Sequence, residues 1–301
     1  MLFNLYMLPL GQILKQYNVS YHSYADDTQI YIAVSPNYCS PIESLCVCLE
    51  NINSWMQQNF LQLNKDKTEI IAFGFEDGRQ NLCAYLESKS LKTKSCVRNL
   101  GVMLDSNLSF NTHIKNITKS AFWHLRNIAK IKDFVCKQDL EKLIHAFITC
   151  RVDYCNTLLI GLPQRSLRQV QLIQNAAARI LTKTKKRDHI TPVLRSLHWL
   201  PVRFRIEFKT LLIVYKSLNG LGPKYIVNML EQYHPNRCLR SSESPLLVVP
   251  RVKSRQGEMA FSHFAAKCWN QLPVQIRTAP TVSCFKRKLK TALFSSAFGD
   301  S

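Results

Sequence analysis

The chain has 301 residues, of which 46% are hydrophobic, so it is long enough for about two domains and too apolar for a wholly disordered protein. Forty Lys and Arg stand against twenty Asp and Glu; residues 1–109 hold 8 basic and 10 acidic side chains, which leaves 32 and 10 for residues 110–301. This positive field attracts polyanions, so nucleic acid is the first expected partner and an anionic membrane surface the second.

A pair of aspartates, Asp26 and Asp27, lies between strand-like runs in SYADDTQIYIAV (residues 23–34). Because strands disfavour Asp, the pair predicts a tight turn that joins two short strands. At such a turn two neighbouring carboxylates can approach one cation, and hard oxygen ligands suit Mg²⁺. A two-metal phosphoryl-transfer site would also need a carboxylate from another strand, whereas the plain alternative is a solvated turn.

The rest of the first third mixes one helix with two strands. A helix-start signal around Ser40 predicts a helix from Pro41 to Asn59. Strands are predicted at Thr68–Phe75 and Val97–Asp105, with Asp77-Gly78 as a turn between them. Strand, strand, helix, strand, strand is an α+β order, and the short first connection favours an antiparallel sheet.

From Asn111 onward the apolar periodicity is helical, and prolines supply the breaks. Helices are predicted at 111–131, 137–150, 164–184, 203–219, 257–270 and 281–294. Residues 234–257 predict an irregular basic loop that includes a short strand at Leu246–Val249.

The eleven cysteines show no regular spacing, which is typical of a reducing intracellular compartment and predicts no disulfide-linked partner. Their spacing also argues against a zinc site, since Cys46 and Cys48 point away from each other on a helix and Cys150 with Cys155 lacks a second pair. No run approaches the roughly 20 apolar residues of a membrane span, and the N-terminus lacks the basic residues of a signal peptide. The prediction is an intracellular protein, nuclear or cytoplasmic, with no membrane partner.

Several motifs, in this order, resemble those of the reverse transcriptases of LINE-type (non-LTR) retrotransposons. Tyr24-Ala25-Asp26-Asp27 resembles the family's Y-x-D-D hairpin, NFLQLNKDKTEIIAFG (59–74) resembles its next palm motif, and Leu100-Gly101-Val102 resembles the strand that begins the primer grip. Four later segments are similar to the thumb and C-terminal region of vertebrate LINE polyproteins: VDYCNTLLIGLP, VQLIQNAAARIL, DHITPVLRSLHWLPVRFRIEFK and FSHFAAKCWNQLP. The resemblance covers essentially the whole chain.

The resemblance implies an α+β fold with a partial polymerase palm of antiparallel strands (1–109), a thumb-like helical region (110–190) and a basic, mostly helical C-terminal region (191–301). It implies that Asp26, with Asp27 as its less central neighbour, binds catalytic Mg²⁺ and that Lys67 lies near the nucleotide phosphates, although a solvated surface lysine fits Lys67 as well. RNA template and DNA primer, or an RNA–DNA hybrid, would be the partners.

The family's fingers and its first catalytic Asp, on an earlier strand, have no counterpart in this sequence. The hypothesis is therefore a C-terminal fragment of an RNA-directed DNA polymerase that is inactive alone. Two alternatives remain open: a vestigial or domesticated nucleic-acid-binding module without enzymatic activity, and a pseudogene product that folds poorly because its sheet edge is exposed.

The candidate phosphate contacts are basic residues on and just after two predicted helices. They are Arg165, Arg168, Arg179, Lys183, Lys185, Lys186 and Arg187 for the first helix, and Arg203, Arg205 and Lys209 for the second. Charged outer helix faces explain about half of them without any ligand.

The remaining aromatic and histidine candidates are expected to be structural. Trp123, Trp199 and Trp269 could stack on bases, but they lie in apolar patterns that favour core packing, and Tyr24 is predicted to pack against the sheet. His22, His145 and His198 are predicted to be structural or surface residues, because no catalytic arrangement lies near them in the sequence.

Overall fold

A computed structural model describes residues 2–35, 40–64, 66–234 and 245–299. The chain divides into two compact units, Met1–Val97 and Arg98–Ser301. Helices dominate both units, and the two sheets have two strands each, which is compatible with the predicted α+β class. The division into palm, thumb-like and C-terminal regions stays a prediction.

The first unit contains two short helices, a hairpin and two longer helices. These are α1 (Leu2–Tyr6), α2 (Leu8–Gln16), β1 (Ser20–Tyr24), β2 (Asp27–Tyr31), α3 (Ser40–Gln58) and α4 (Glu76–Ser88). A small core joins α2 to α3 through Leu10, Leu14, Cys48 and Ile52. The helix predicted at Pro41–Asn59 is confirmed, with each end displaced by one residue.

Two predictions for the first unit are wrong. Thr68–Phe75 is not a strand, because only Ile70 pairs, in an isolated parallel bridge to Thr93. Asp77-Gly78 is not a turn, because it lies in the first turn of α4. Acidic side chains there, Asp77 included, favour the positive end of a helix, which explains why the segment folds as α4.

The predicted strand Val97–Asp105 is a hairpin instead. Its strands are β3 (Cys96–Asn99), which spans the division between the units, and β4 (Val102–Asp105). Leu100 and Gly101, with φ of 43° and 84°, turn the chain between them, and glycine adopts such a φ without steric cost. Among the described residues, β3–β4 and β1–β2 form separate sheets, so the predicted palm sheet is not continuous.

The second unit continues with eleven α-helices among its described residues. These are α5 (Asn111–Ile131), α6 (Lys137–Ile144), α7 (Cys150–Asp153), α8 (Gln164–Thr182), α9 (Ile190–Ser196), α10 (Val202–Leu218), α11 (Lys224–Val227), α12 (Arg255–Met259), α13 (Phe261–Gln271), α14 (Val274–Arg277) and α15 (Val282–Phe298). The predicted helix 111–131 is confirmed to the residue, and 164–184 and 203–219 to within two residues. The helix predicted at 281–294 is present and extends to Phe298.

The predicted helix 137–150 is interrupted by a wider turn. Between α6 and α7, residues His145–Thr149 form a π-helix, in which the Cys150 N–H donates to His145 O, five residues earlier. A 3₁₀-helix, Asn156–Leu159, follows α7. The π-turn inserts one extra residue into an otherwise continuous helix.

The predicted helix 257–270 is wrong as a single element, because Ala260 is extended (φ −59°, ψ 142°) and separates α12 from α13. The break lets the two helices pack differently. Met259 of α12 lies against Gly161, where an added Cβ would be only 3.2 Å from Met259 Cα. Gly161 has a φ of +74°, so both its backbone and the close approach require glycine.

Two hydrophobic cores stabilise the second unit. The first core lies mainly between α5, α6 and α8 and includes Ile114, Ile144 and Ile173. The second core lies between α10, α13 and α15 and includes Trp269 and Phe285. Within the described ranges, no helix is long and apolar enough to cross a membrane.

The predicted strand Leu246–Val249 is reduced to a single antiparallel bridge between Gln232 and Leu247. Backbone hydrogen bonds from Tyr233 N to Leu246 O and from Val248 N to Glu231 O (both 2.9 Å) form this bridge. On its other side the Asn270 side chain accepts from Leu247 N (2.9 Å) and donates to Leu247 O (2.8 Å). Residues 235–244 of the predicted basic loop lie outside the described residues.

Candidate functional site

The aspartate pair lies at the turn of an antiparallel hairpin. Tyr24 of β1 is paired with Asp27 of β2, which leaves Ala25 and Asp26 as a two-residue turn. Ala25 has a φ of 55°, in the left-handed region that costs a non-glycine residue roughly 1–2 kcal/mol. The side chains of Asp26 and Asp27 are both exposed, so they are accessible to a ligand from solvent.

The open face of this hairpin is aromatic and polar. Cross-strand pairing places Tyr24, His22 and Tyr31 on the face of Asp27, away from the half-buried Ile30. The rings of His22 and Tyr31 stack at 5.4 Å, and Tyr31 Oη lies 3.2 Å from His22 Nε2. The prediction that Tyr24 packs against the sheet is wrong, because 69% of Tyr24 is exposed on the open face.

The two carboxylates suit Mg²⁺ in kind but supply few ligands. Mg²⁺ is commonly held by one or two protein carboxylates, with waters and substrate phosphates completing the octahedron, and exposed Asp26 and Asp27 meet that requirement. A two-metal site needs at least one further carboxylate, from another strand. In the part of the chain that the structure describes, no group of three His, Cys, Asp or Glu side chains could hold a metal ion.

Lys67, the predicted nucleotide-phosphate contact, is exposed on a turn. Its backbone N–H donates to both the carbonyl (3.2 Å) and the side-chain oxygen (3.1 Å) of Asn64. The neighbouring Glu69 forms an ion pair with Lys94 at 2.5 Å. The turn therefore fixes the backbone at Lys67 and leaves its ammonium in solvent.

The basic residues of α8 and the turn after it fall into two groups. Five are exposed without an ion pair among the described residues: Arg165, Arg168, Lys185, Lys186 and Arg187. Lys183 pairs with Asp133 at 2.9 Å. Arg179 donates to Lys185 O (3.4 Å) and Asp188 O (3.0 Å), so it organises the turn from within.

Two of the three candidates on α10 have internal partners. Arg205 donates to both carboxylate oxygens of Asp153, with Nε 3.0 Å from Oδ1, and Lys209 Nζ donates to Asp153 O at 2.7 Å. Side chains of this pair are only 24% and 18% exposed. We therefore leave Arg205 and Lys209 out of the proposed nucleic-acid surface, whereas Arg203 is exposed beside the Phe204 ring.

A basic face on α5 was missed by the sequence reasoning. α5 contains no acidic residue. Along one face its exposed residues recur at intervals of four, four, three and four, and they are Lys115, Lys119, Trp123, Arg126 and Lys130. We call this set the α5 stripe; at 1.5 Å per residue it is about 22 Å long. The helical spacing of the cations in KNITKSAFWHLRNIAK was the signal that could have identified it.

The aromatic member of the α5 stripe is exposed. Trp123 is 56% exposed, so its predicted core packing is wrong, whereas the burial of Trp199 (8%) and Trp269 (1%) is confirmed. The rings of Trp123 and His124 meet edge to face, with centroids 4.8 Å apart, and the His124 ring stacks on that of Phe147 at 5.2 Å. Burial, and then the nearby Arg151 charge, lower the pKa of His124, so this ring is neutral at pH 7 and stacks without a charge.

Like His22, the other two histidines that were predicted to be structural or surface residues, His145 and His198, lie at the surface. His145 is exposed in the π-turn, where its Nδ1 lies 3.1 Å from Thr149 Oγ1 and its Nε2 lies 3.6 Å from Glu141. His198 is exposed and packs its ring 5.5 Å from that of Phe294. Both rings therefore lie at the surface, and the Glu141 carboxylate near His145 is itself exposed, at 43% of its side chain.

Comparison with known proteins concerns only the N-terminal third. No curated protein and no solved structure matches the chain. The hairpin with Asp26 and Asp27, the turn with Lys67 and the strand β3 all fall within one matched range. Residues 1–104 match the family model described as reverse transcriptase (RNA-dependent DNA polymerase), so at the family level this part of the chain is similar to such polymerases.

Proposed function

We propose that this chain carries part of the palm of a LINE-type RNA-directed DNA polymerase, with Asp26 and Asp27 as metal-binding residues. The observation that supports this most directly is the position of the pair. Both carboxylates are exposed at the turn of a two-stranded antiparallel hairpin, inside the range that matches reverse transcriptases.

Bound Mg²⁺ would activate the primer hydroxyl and neutralise charge on the leaving pyrophosphate. The chain's own contribution would be positional. The left-handed backbone at Ala25 reverses the chain in two residues, so Asp26 and Asp27 both lie at the end of the hairpin. The open face with Tyr24 borders Asp27, where a primer terminus could approach.

We further propose that this chain alone has negligible polymerase activity. The described residues bring no third acidic ligand to Asp26 and Asp27. Loss of one carboxylate from a two-metal site should raise the barrier by several kcal/mol, and about 1.4 kcal/mol corresponds to a tenfold loss of rate.

Primer extension tests this directly. Purified chain is incubated with a primed RNA template, dNTPs and Mg²⁺ or Mn²⁺, beside the variants Asp26→Asn and, as a charge-matched control, Asp66→Asn. We expect all three proteins to give the same background. A different result would contradict the proposed inactivity and support the proposed metal role: the natural chain and Asp66→Asn incorporate dNTPs, and Asp26→Asn does not.

A second function, nucleic-acid binding without catalysis, is favoured by the α5 stripe. Four cations on an acid-free helix face can neutralise successive phosphates, and an exposed tryptophan between them offers a stacking surface for an unpaired base. We propose that single-stranded RNA, or the single-stranded part of a primed template, lies along this face.

Substituting three stripe cations should weaken binding in a salt-dependent way. In Lys119→Gln/Arg126→Gln/Lys130→Gln, we expect the slope of log affinity against log salt for single-stranded RNA to become less negative by about 2, because each lost phosphate contact contributes about 0.7. Fluorescence anisotropy of a labelled oligonucleotide at several salt concentrations measures this slope.

The matched control removes the same charge from another helix. Lys286, Arg287 and Lys290 are exposed on α15, and their triple glutamine variant lowers net charge equally. We expect this control to keep most of the slope. Equal losses in the two triple variants would mean that RNA responds to overall charge and that the α5 stripe is not a binding surface.

A further inference from the structure

A cavity of about 450 Å³ lies in the second unit, where the chain enters α5, α8 and α12. Its volume is within the range of about 300–1,000 Å³ that small-ligand sites occupy. Its polar lining includes Lys115, Arg165, Arg255, Ser109, Ser166 and Gln169. Leu162 and Met259 contribute an apolar part of the wall.

The charge of this cavity is positive and not neutralised from within. No acidic side chain is among its described lining residues, and no ion pair in the described chain involves Lys115, Arg165 or Arg255. Glu258 belongs to α12 but does not line the cavity. Three cations in one concave site therefore favour an anionic ligand.

The acidic residue on the segment that leads into the cavity is already engaged. Asp105 accepts hydrogen bonds from the backbone N–H groups of Asn107 (3.2 Å), Ser109 (2.9 Å) and Phe110 (2.7 Å). These bonds hold Leu108 and Phe110 in left-handed conformations, with φ of 51° and 55°. Asp105 thus shapes one wall of the cavity and is not a counter-ion for its cations.

Two long helices also begin at this cavity. Asn111 and Gln164, the first residues of α5 and α8, follow Phe110 and Pro163, neither of which caps its helix with a side-chain hydrogen bond. The Asn111 N–H donates to Ser109 Oγ at 3.4 Å, and the other N–H groups of a first helical turn carry partial positive charge. They reinforce the preference for an anion that Lys115, Arg165 and Arg255 already create.

We infer that this cavity binds the phosphate groups of a nucleic-acid strand. The inference rests on the proposed nucleic-acid-binding function, because Lys115 belongs to both the cavity and the α5 stripe. A strand along the stripe would therefore reach the cavity at Lys115. Arg165 and Arg255 would supply forked donors to phosphate oxygens, and Ser109 and Ser166 neutral donors.

The test uses the full chain, the variant Arg165→Gln/Arg255→Gln and the charge-matched control Arg287→Gln/Lys290→Gln. Pyrophosphate and ATP are titrated by calorimetry, and a single-stranded RNA of about 12 nucleotides by fluorescence anisotropy. We expect the cavity variant, but not the control, to bind pyrophosphate about 100-fold more weakly, since it loses two charge-assisted bonds that are worth about a factor of ten each. Its RNA salt slope should be less negative by about 1.4.

The outcomes separate the inference from the function on which it rests. If the cavity variant binds both pyrophosphate and RNA as tightly as the control variant does, the inference is overturned, even if RNA binds tightly to all proteins. If the natural chain binds pyrophosphate and ATP, the cavity variant does not, and no protein binds RNA, then the cavity is a phosphate site but a nucleic-acid strand is not its ligand. Lys115→Gln provides a second variant, for which we expect about a tenfold loss of pyrophosphate affinity and an RNA salt slope less negative by about 0.7, because it removes one contact.

Discussion

Asp153→Ala is expected to destabilise the second unit by roughly 1–3 kcal/mol, between the values for an exposed and for a fully buried ion pair, because the pair is partly buried. The substitution removes both acceptors of the Arg205 guanidinium, while the side chain of Arg205 stays only 24% exposed. An uncompensated charge then remains between α7 and α10. Chemical denaturation followed by circular dichroism measures the loss.

A second substitution separates the stability lost through poorer packing from the stability lost through an unpaired charge. Arg205→Met in the Asp153→Ala background should recover part of the stability, because it removes the unpaired guanidinium and keeps an apolar stem. Asp139→Ala, which breaks the exposed pair with Lys142, is the matched control and should barely move the midpoint. If Asp153→Ala behaved like Asp139→Ala, Arg205 would return to the candidates for phosphate contact.

Trp269→Ala is expected to cost about 3–5 kcal/mol, the range for truncating a large aromatic side chain in a core. Trp269 is 1% exposed in the second core, and its indole N–H donates to Pro245 O at 2.7 Å. Its ring centroid lies 6.0 Å from that of Phe285, which itself stacks on Tyr215 at 4.1 Å. Truncation therefore leaves a cavity beside an aromatic stack.

The same substitution at Trp123 is the matched control, and it should change stability by less than about 0.5 kcal/mol, as surface substitutions do. Its effect should instead appear in single-stranded RNA affinity, where loss of one stacking partner costs about 1–3 kcal/mol. Thermal unfolding and anisotropy measure the two effects. A large stability loss at Trp123, or unchanged RNA affinity, would argue against stacking on the α5 stripe.

Local patterns explain which parts of the fold could be predicted. The bounds of α5 and the hairpin at Asp26 follow from features within a few residues, namely apolar periodicity and a pair of turn residues. Thr68–Phe75 failed because an apolar, β-branched run does not say whether a partner strand is present, and only Ile70 found one. In Val97–Asp105 the turn was missed because Leu100, a residue that rarely adopts a positive φ, has a φ of 43° next to Gly101.

Candidate sites divide in the same way. The exposed turn position of Asp26 could be predicted because turn chemistry is local, whereas the partner of Arg205 lies 52 residues away in sequence and was not visible. The exposure of Trp123 could have been predicted from its position along α5. It lies nine residues after the buried Ile114, and at about 100° per residue this places it on the opposite face of α5.

The π-helix His145–Thr149 determines what the helix beyond it can contact. One extra residue in the turn rotates everything downstream by about 100° relative to an uninterrupted α-helix. Asp153 lies downstream of that rotation, and in this register it accepts from Arg205 of α10. The π-turn thus sets the rotational register of α7, and deletion of one of its residues would misalign the Asp153–Arg205 ion pair without changing either charged side chain.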